Sequence, residues 1–323
     1  MEQHRIPVPP DRSLAQLADT VRRAQDYAQR AKAPRTRKAY AADWRHFTAW
    51  ADARGLTALP ATPETVVFYL ADMAEAGAKA ATMARRLVVI SQAHKTQNLP
   101  SPTTSSEVRN VHAGIRRIRG TAQEGKAPAT VEDIKTMLDK LPHSRLGQRD
   151  RALLLLGFAG AFRRSELVSL DVADLDFTRA GLIVTLRRAK TDQEGVGRRI
   201  GIPYGANKAT CPVRSVQAWL AAAKIKDGPI FRAVDRFSRV QPGRLSDKAV
   251  ALVVKRCAAR GGLGADRWAG HSLRAGLAIS AAAAGVEERK IAQQTGHQSL
   301  VILRRYSRDG DLFRGNAAGA VGL

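Results

Sequence analysis

HSLRAGLAIS at residues 271–280 and QQTGHQSLVILRRYS at residues 293–307 contain the most informative side chains of the sequence. In the first segment His271 and Arg274 lie three residues apart, which places them on one face of a predicted helix. In the second segment His297 follows a glycine at a predicted turn, and Tyr306 comes nine residues later. A tyrosine, two histidines and an arginine can bind a phosphodiester and attack it. The two segments are therefore the candidate site.

Two earlier segments add charged side chains. AFRRSEL at residues 161–167 contains Arg163 and, three residues on, Glu166. Taken alone, this spacing also describes an ordinary salt bridge within a helix. GLIVTLRR and RRIGIPYG alternate apolar and polar residues on either side of AKTDQEGVG, which predicts a β-hairpin with a long charged loop. Lys190 lies in that loop.

These side-chain types fit the chemistry of phosphodiester transfer. A tyrosine that loses its proton is a competent nucleophile and forms a covalent intermediate. Two arginines can pair with the non-bridging oxygens, and a lysine can protonate the leaving oxygen. The sequence lacks the acidic cluster of a Mg²⁺ site, and its only cysteines, Cys211 and Cys257, lack the spacing of a zinc site. We therefore expect no metal ion in the site.

The chain is strongly basic. Its 53 Lys and Arg residues exceed its 29 Asp and Glu residues by 24, with an excess of 8 through Gly125 and of 16 after it. Because charge of this size opposes compaction, we expect a polyanionic partner, most simply nucleic acid, in contact with both halves. A need for solubility or an acidic membrane surface is the alternative explanation. No segment is long enough to cross a bilayer, the N-terminal residues contain no apolar h-region and the two cysteines are isolated, which together predict a cytoplasmic protein.

Helical periodicity and chain breaks predict the domain organisation. Residues 1–33 read as an extension with one helix, and residues 34–120 as an all-helical unit. TAQEGKAPAT, at residues 121–130, is polar and rich in small residues and reads as a linker. Residues 131–323 read as a mostly helical unit with one small sheet and a C-terminal tail. The predicted fold class is mainly α.

Basic side chains outside the candidate site are candidates for contact with nucleic acid. The predicted helix KAATMARRLVVISQAHKTQN has an apolar face opposite Arg85, Arg86 and Lys95. This polar face fits a DNA major groove and simple exposure to solvent equally well. The set of DNA-binding candidates is Arg37, Lys38, Arg85, Arg86, Lys95, Arg198 and Arg199.

Taken together, these segments resemble the tyrosine recombinases, the phage-integrase family of site-specific DNA recombinases. AFRRSELVSLDVADLD is similar to the family's first box, typically G-x-R-x-x-E-L-x-x-L; HSLR is similar to its HxxR box and TGH to its LGH box. The resemblance implies that Glu166 is a supporting acid and Tyr306 the nucleophile. It implies the following catalytic side chains: Arg163, Lys190, His271, Arg274, His297 and Tyr306.

Two positions need comment against the family's pattern. Arg164 directly follows Arg163, and the spacing to Glu166 favours Arg163 as the arginine of the first box. The HxxR box continues with Ala275 and Gly276, where His-Thr or His-Ser is usual. We interpret the second departure as a change in packing rather than a loss of activity.

The resemblance also implies a fold and a reaction. Residues 34–120 would be a SAM-like core-binding domain, and residues 131–323 a catalytic domain of the DNA breaking-rejoining fold, closing as a clamp around duplex DNA. Attack by Tyr306 would leave a 3′-phosphotyrosine and a free 5′-hydroxyl, a reaction that needs neither metal nor ATP. Four copies would act on two inverted-repeat sites through a Holliday junction. In the absence of DNA the protein would be a monomer or a weak oligomer. An accessory protein is possible in this family. Only some thirty residues precede the core-binding helices, which leaves no room for a separate arm-binding domain.

The sequence leaves the biological reaction open among integration, excision and resolution of cointegrates or multimers, in a bacterial or mobile-element setting. Two other functions share these features. A protein derived from a recombinase can bind DNA without cutting it. A topoisomerase IB-like enzyme nicks and reseals DNA by the same chemistry, and relaxation of supercoiled DNA without recombinants would identify it.

Overall fold

The computed structural model describes residues 12–121, 125–187 and 197–297. The chain divides into two compact units, Met1–Glu124 and Gly125–Leu323. Helices dominate both units, which confirms the mainly α fold class. Within the described ranges, no helix combines the length and apolar character needed to span a membrane.

The N-terminal unit packs its helices around aromatic side chains. Phe47 and Tyr69 are fully buried, with ring centroids 4.9 Å apart. Local sequence explains where the helices begin: the Thr62 hydroxyl accepts a hydrogen bond from the backbone N–H of Thr65, next to a proline in the first turn. The described helices of this unit are α1 (Arg12–Arg30), α2 (Pro34–Asp52), α3 (Pro63–Glu75), α4 (Ala80–Thr96) and α5 (Ser106–Arg119).

The C-terminal unit combines helices with two small antiparallel sheets. Its described helices are α6 (Val131–Asp139), α7 (Arg145–Ala159), α8 (Arg164–Ser169), α9 (Pro212–Ala223), α10 (Asp247–Arg260), α11 (Ser272–Ala283) and α12 (Glu288–Thr295). The first sheet has the order β1 (Leu175–Phe177), β2 (Gly181–Leu186), β3 (Arg198–Pro203), and the second pairs β4 (Arg232–Val234) with β5 (Val240–Arg244).

The predicted hairpin is the β2–β3 pair, in which Leu186 lies opposite Arg198 and Gly181 opposite Pro203. The expectation of one sheet was wrong, since the described residues also contain the β4–β5 pair. These two strands have three and five residues, are rich in arginine and include Pro242 and Gly243. Such strands lack the alternation of apolar and polar residues by which a strand is predicted.

Helix α7 lies at the centre of the C-terminal unit. The run of leucines in its C-terminal half is buried, including Leu153, Leu154 and Leu156, as expected of a helical stretch that is apolar on all sides. It packs against α9 and α11. The end of α7 therefore carries the chain from the core directly into the first predicted box.

The segment at residues 125–129 runs alongside the start of α11. The backbone N–H of Ala127 donates to the Arg267 carbonyl at 2.8 Å, and that of Ala129 donates to the Ser272 carbonyl at 2.9 Å. Gly276 makes this approach possible, because a Cβ at that position would lie 1.8 Å from the Ala129 carbonyl oxygen. Gly276 thus allows this segment to pack directly against α11.

Substituting Gly276 with alanine is expected to destabilise the C-terminal unit by about 1–3 kcal/mol, because the added methyl group must displace backbone atoms. The matched control is Gly243→Ala in β5, where an added Cβ would have nothing within 4 Å and no loss is expected. Urea unfolding of both variants measures the difference. Equal unfolding midpoints for the two variants would show that residues 125–129 move to accommodate the methyl group without loss of stability.

Candidate active site

Arg163 and Glu166 are joined at the start of α8. The Glu166 carboxylate, which is buried, accepts a hydrogen bond from the Arg163 backbone N–H at 2.9 Å and from Arg163 Nη1 at 2.5 Å. A glutamate three residues into a helix commonly accepts from the first free N–H of that helix. Here the same carboxylate also orients the arginine side chain, so the spacing seen in the sequence has a structural purpose.

Arg274 lies in the interior, with only 2% of its surface exposed. Its Nη1 donates to the carbonyl oxygen of Ala161 at 2.8 Å. Ala161 has a φ of +48°, a left-handed conformation that costs an L-residue roughly 1–2 kcal/mol. It stands where the first box typically has glycine. The strained turn between α7 and α8 therefore supplies the acceptor for the buried arginine.

The two adjacent arginines of the first box have different surroundings. Arg163 points to Glu166, whereas the aliphatic part of Arg164 lies against Gly270, the residue before His271; a Cβ at Gly270 would be 2.3 Å from Arg164 Cδ. Arg163 is thus the arginine that pairs with Glu166, and Arg164 lies beside the residue that precedes His271.

His297 follows the end of α12. Gly296 ends this helix in the left-handed conformation, with a φ of +65°. His297 Nδ1 lies 2.8 Å from the Thr295 hydroxyl oxygen, which is also 2.7 Å from the Ile291 carbonyl oxygen. When the hydroxyl donates to Nδ1, the proton of the neutral ring is on Nε2, from which it can be donated to an anion. Gln294 attaches the same turn to α7 through a 2.8 Å hydrogen bond from Nε2 to the Ala159 carbonyl. The ring is thus oriented by the helix end that precedes it.

Both histidines have pKa values lowered by their surroundings. For His297, burial is the largest cause and the charges of Arg274 and Arg163 add to it, which lowers the pKa to about 4. The pKa of His271 is also lowered, first by desolvation against the surrounding protein atoms and then by the charges of Arg274, Arg163 and Arg164, although the side chain keeps contact with solvent. Both rings are therefore neutral near pH 7 and can accept as well as donate a proton.

The structure thus brings five predicted residues into one cluster, which we call the phosphate pocket: Arg163, Glu166, His271, Arg274 and His297. Lys190 and Tyr306 lie outside the described residues. Among the residues that are described, no group of three His, Cys, Asp or Glu side chains is placed to hold a metal ion.

The DNA-binding candidates occupy several environments. Arg37, Lys38, Lys95 and Arg199 are exposed. Arg85 and Arg86 both pair with the buried carboxylate of Asp43, at 2.5 and 3.6 Å. Arg86 is only 15% exposed and has its guanidinium carbon 5.9 Å from the centre of the Tyr69 ring, so much of this side chain belongs to the N-terminal core.

Arg198 has a different position from the one expected of a surface contact. It lies at the start of β3 with its guanidinium between Glu166 and the end of α12. Sequence reasoning also missed Thr295 and Gln294, which hold His297 and α12 in place. A hydroxyl two residues before a site histidine was the only available signal for Thr295, and it is a weak one.

Comparison with known proteins gives consistent matches. Residues 129–311 match the phage integrase family, and residues 25–96 match the phage integrase N-terminal SAM-like domain. An integrase/recombinase XerD homolog of Selenomonas ruminantium is 42% identical over 299 residues, which cover 91% of this chain and 87% of that protein. The Cre recombinase of Escherichia phage P1 is 26% identical, over 83% of this chain and 82% of its own length.

Solved structures share the fold at low sequence identity. The XerH recombinase bound to a palindromic difH substrate, in a post-cleavage complex, has a TM-score of 0.58 and 16% identity, over 80% of this chain and 72% of that one. A lambda integrase (75–356) dimer bound to a COC′ core site has a TM-score of 0.57 and 17% identity, over 92% of this chain and 95% of that one.

Proposed function

The chain belongs to the phage integrase family and is a site-specific tyrosine recombinase, and on that premise we propose that its phosphate pocket binds and cleaves one phosphodiester of duplex DNA. The observation that carries this proposal is the convergence of Arg163 and Arg274 on two neutral histidines. Two fixed guanidinium groups can each donate two hydrogen bonds to phosphate oxygens and stabilise the charge that develops on them.

In the proposed reaction the Tyr306 hydroxyl oxygen attacks phosphorus and the bond to the 5′ oxygen breaks. The products are a 3′-phosphotyrosine and a free 5′-hydroxyl. The tyrosine proton passes to His271, which is neutral and solvent-accessible, while Lys190 protonates the leaving oxygen. Arg163, Arg274 and His297 bind the non-bridging oxygens. Because the phosphotyrosine preserves the energy of the broken bond, the reverse attack by a 5′-hydroxyl rejoins the strand without ATP or a metal ion.

We propose duplex DNA with an inverted-repeat site as the partner, bound by a tetramer across two sites. An excess of 24 positive charges supports a polyanionic partner. A palindromic substrate is bound by the structurally similar XerH recombinase, and a core site by lambda integrase, which supports DNA of this kind. Arg37, Lys38, Lys95 and Arg199 are the exposed candidates for contacts to the DNA backbone.

The test is covalent trapping in the presence of EDTA. Duplexes tiled across the DNA that flanks the gene, each nicked near a candidate site, are incubated with the protein and separated on denaturing gels. A protein–DNA adduct that forms without divalent metal supports the proposal and locates the site. Binding with no adduct on any duplex would contradict it. Recombinant products from paired sites distinguish a recombinase from an enzyme that only relaxes supercoiled DNA.

A further inference from the structure

Arg198, the first residue of strand β3, contacts two helices of the C-terminal unit. Its Nη1 donates to two backbone carbonyls, those of Gln294 at 3.1 Å and Gln293 at 3.3 Å. Its Nη2 lies 3.8 Å from the Glu166 carboxylate. The side chain is 22% exposed, so the guanidinium is mostly enclosed by protein. One side chain thus contacts β3, α8 and α12.

The two carbonyls belong to the last turn of α12. The last four carbonyls of a helix accept no hydrogen bond from within the helix. A cationic side chain placed there can donate hydrogen bonds to them and interacts favourably with the helix dipole. Gly296 leaves the helix directly beside this guanidinium, since a Cβ at Gly296 would lie 2.8 Å from Arg198 Cζ. The next residue is His297. Arg198 therefore contacts the backbone that sets the position of the His297 ring.

Glu166 extends this connection across the pocket. Its Oε1 accepts from Arg163 Nη1, while its Oε2 accepts from the Arg163 backbone and lies nearest to Arg198. One buried carboxylate thus separates two arginines. A displacement of Arg198 would change the balance of charge around Arg163 as well as the end of α12.

We propose that Arg198 is a positioning residue: it ties strand β3 and Glu166 to the end of α12 and thereby holds His297 in the orientation needed at the scissile phosphate. The role at the phosphate rests on the proposed function, whereas the orientation of His297 in the free protein does not. Burial, the largest influence, lowers the pKa of Arg198, with Glu166 opposing the change, as expected of a structural cation rather than a surface contact.

The test compares Arg198→Gln, Arg198→Lys and a matched control, Arg244→Gln. Arg244, in β5, also donates to two backbone carbonyls, those of Val168 and Leu170, and pairs with Asp171. It therefore controls for the general effect of losing such an arginine from this unit. The positioning readout is ¹⁵N NMR of histidine-labelled protein without DNA, with the His297 signals assigned by His297→Gln.

In the wild-type protein we expect a single neutral tautomer of His297, because Nδ1 is committed to the Thr295 hydroxyl. Arg198→Gln is expected to give a mixture of tautomers. Arg198→Lys, which keeps the charge but supplies a compact donor in place of the planar fork, is expected to give a smaller change in the same direction. Arg244→Gln should keep the wild-type spectrum even where its unfolding midpoint falls. If Arg198→Gln does not fold, the lysine variant decides.

The kinetic readout is the single-turnover rate of adduct formation on saturating nicked duplex. Arg198→Gln is expected to lower this rate by about tenfold or more, since small misplacements of a reacting group have large kinetic effects. Non-covalent affinity should change little, because many phosphate contacts contribute to it. A wild-type tautomer in both Arg198 variants, or equal effects of Arg244→Gln, would overturn the proposal. If the wild-type protein forms no adduct, the proposed function fails, and the spectra still decide the role of Arg198.

Discussion

Replacing Tyr306 with phenylalanine is expected to abolish the covalent adduct with DNA and to leave non-covalent binding unchanged. The substitution removes only the hydroxyl oxygen, so no nucleophile remains at this position to form the bond to phosphorus. Denaturing gels measure the adduct, and mobility shifts in native gels measure binding. The expected result is complete loss in the first assay and no change in the second.

The C-terminal unit offers a matched control. Tyr204, which follows β3, is its only other tyrosine, and the guanidinium carbon of Arg214 lies 5.1 Å from the centre of its ring. Tyr204→Phe keeps that ring and should form the adduct at the wild-type rate. An adduct that persists in Tyr306→Phe would assign the nucleophile to another residue. An adduct that also disappears in Tyr204→Phe would point to damage to the fold.

Arg274→Gln has the second largest expected effect. A guanidinium that stabilises developing charge in a desolvated pocket contributes roughly 10²–10³ to the rate, so the adduct should form more slowly by about that factor. Affinity for DNA should fall much less, because in the proposed complex Arg274 would contact one phosphate among many. Loss of its positive charge also removes a cause of the lowered pKa of His297, and that pKa should rise.

Stability must be separated from catalysis in this variant, because Arg274 is buried. Arg256→Gln is the control: Arg256 donates to the buried carboxylate of Asp150 at 2.6 Å, in an ion pair that includes none of the predicted side chains of the pocket. Its loss should lower the unfolding midpoint but preserve the rate of adduct formation per folded molecule. If Arg274→Gln reacts within about threefold of the wild-type rate, Arg274 does not stabilise the transition state.

The sequence predicted those features that depend on local spacing. The mainly α fold and the β2–β3 hairpin follow from apolar periodicity, which is a property of short segments. The pairing of Arg163 with Glu166 is likewise a spacing of three residues at a helix start. The role of the pocket residues remains a prediction, and Lys190 and Tyr306 lie outside the described residues.

The features that could not be predicted depend on contacts between distant segments. Arg198 was expected at a DNA surface because an arginine in a basic hairpin has no local signal for burial. Its position follows only when β3 and α12 are packed together. In the same way, Arg86 shares a polar helix face with Arg85 in the sequence, and only the aromatic core of the N-terminal unit explains why it is mostly buried.

The short segment at residues 125–129 is bonded to the backbone next to a predicted site residue. Its hydrogen bonds to the carbonyls of Arg267 and Ser272 lie on either side of His271 along the chain. Ala129, which makes one of these hydrogen bonds, also belongs to the buried core of the C-terminal unit. The same short segment therefore joins that core to the backbone on both sides of a predicted site histidine.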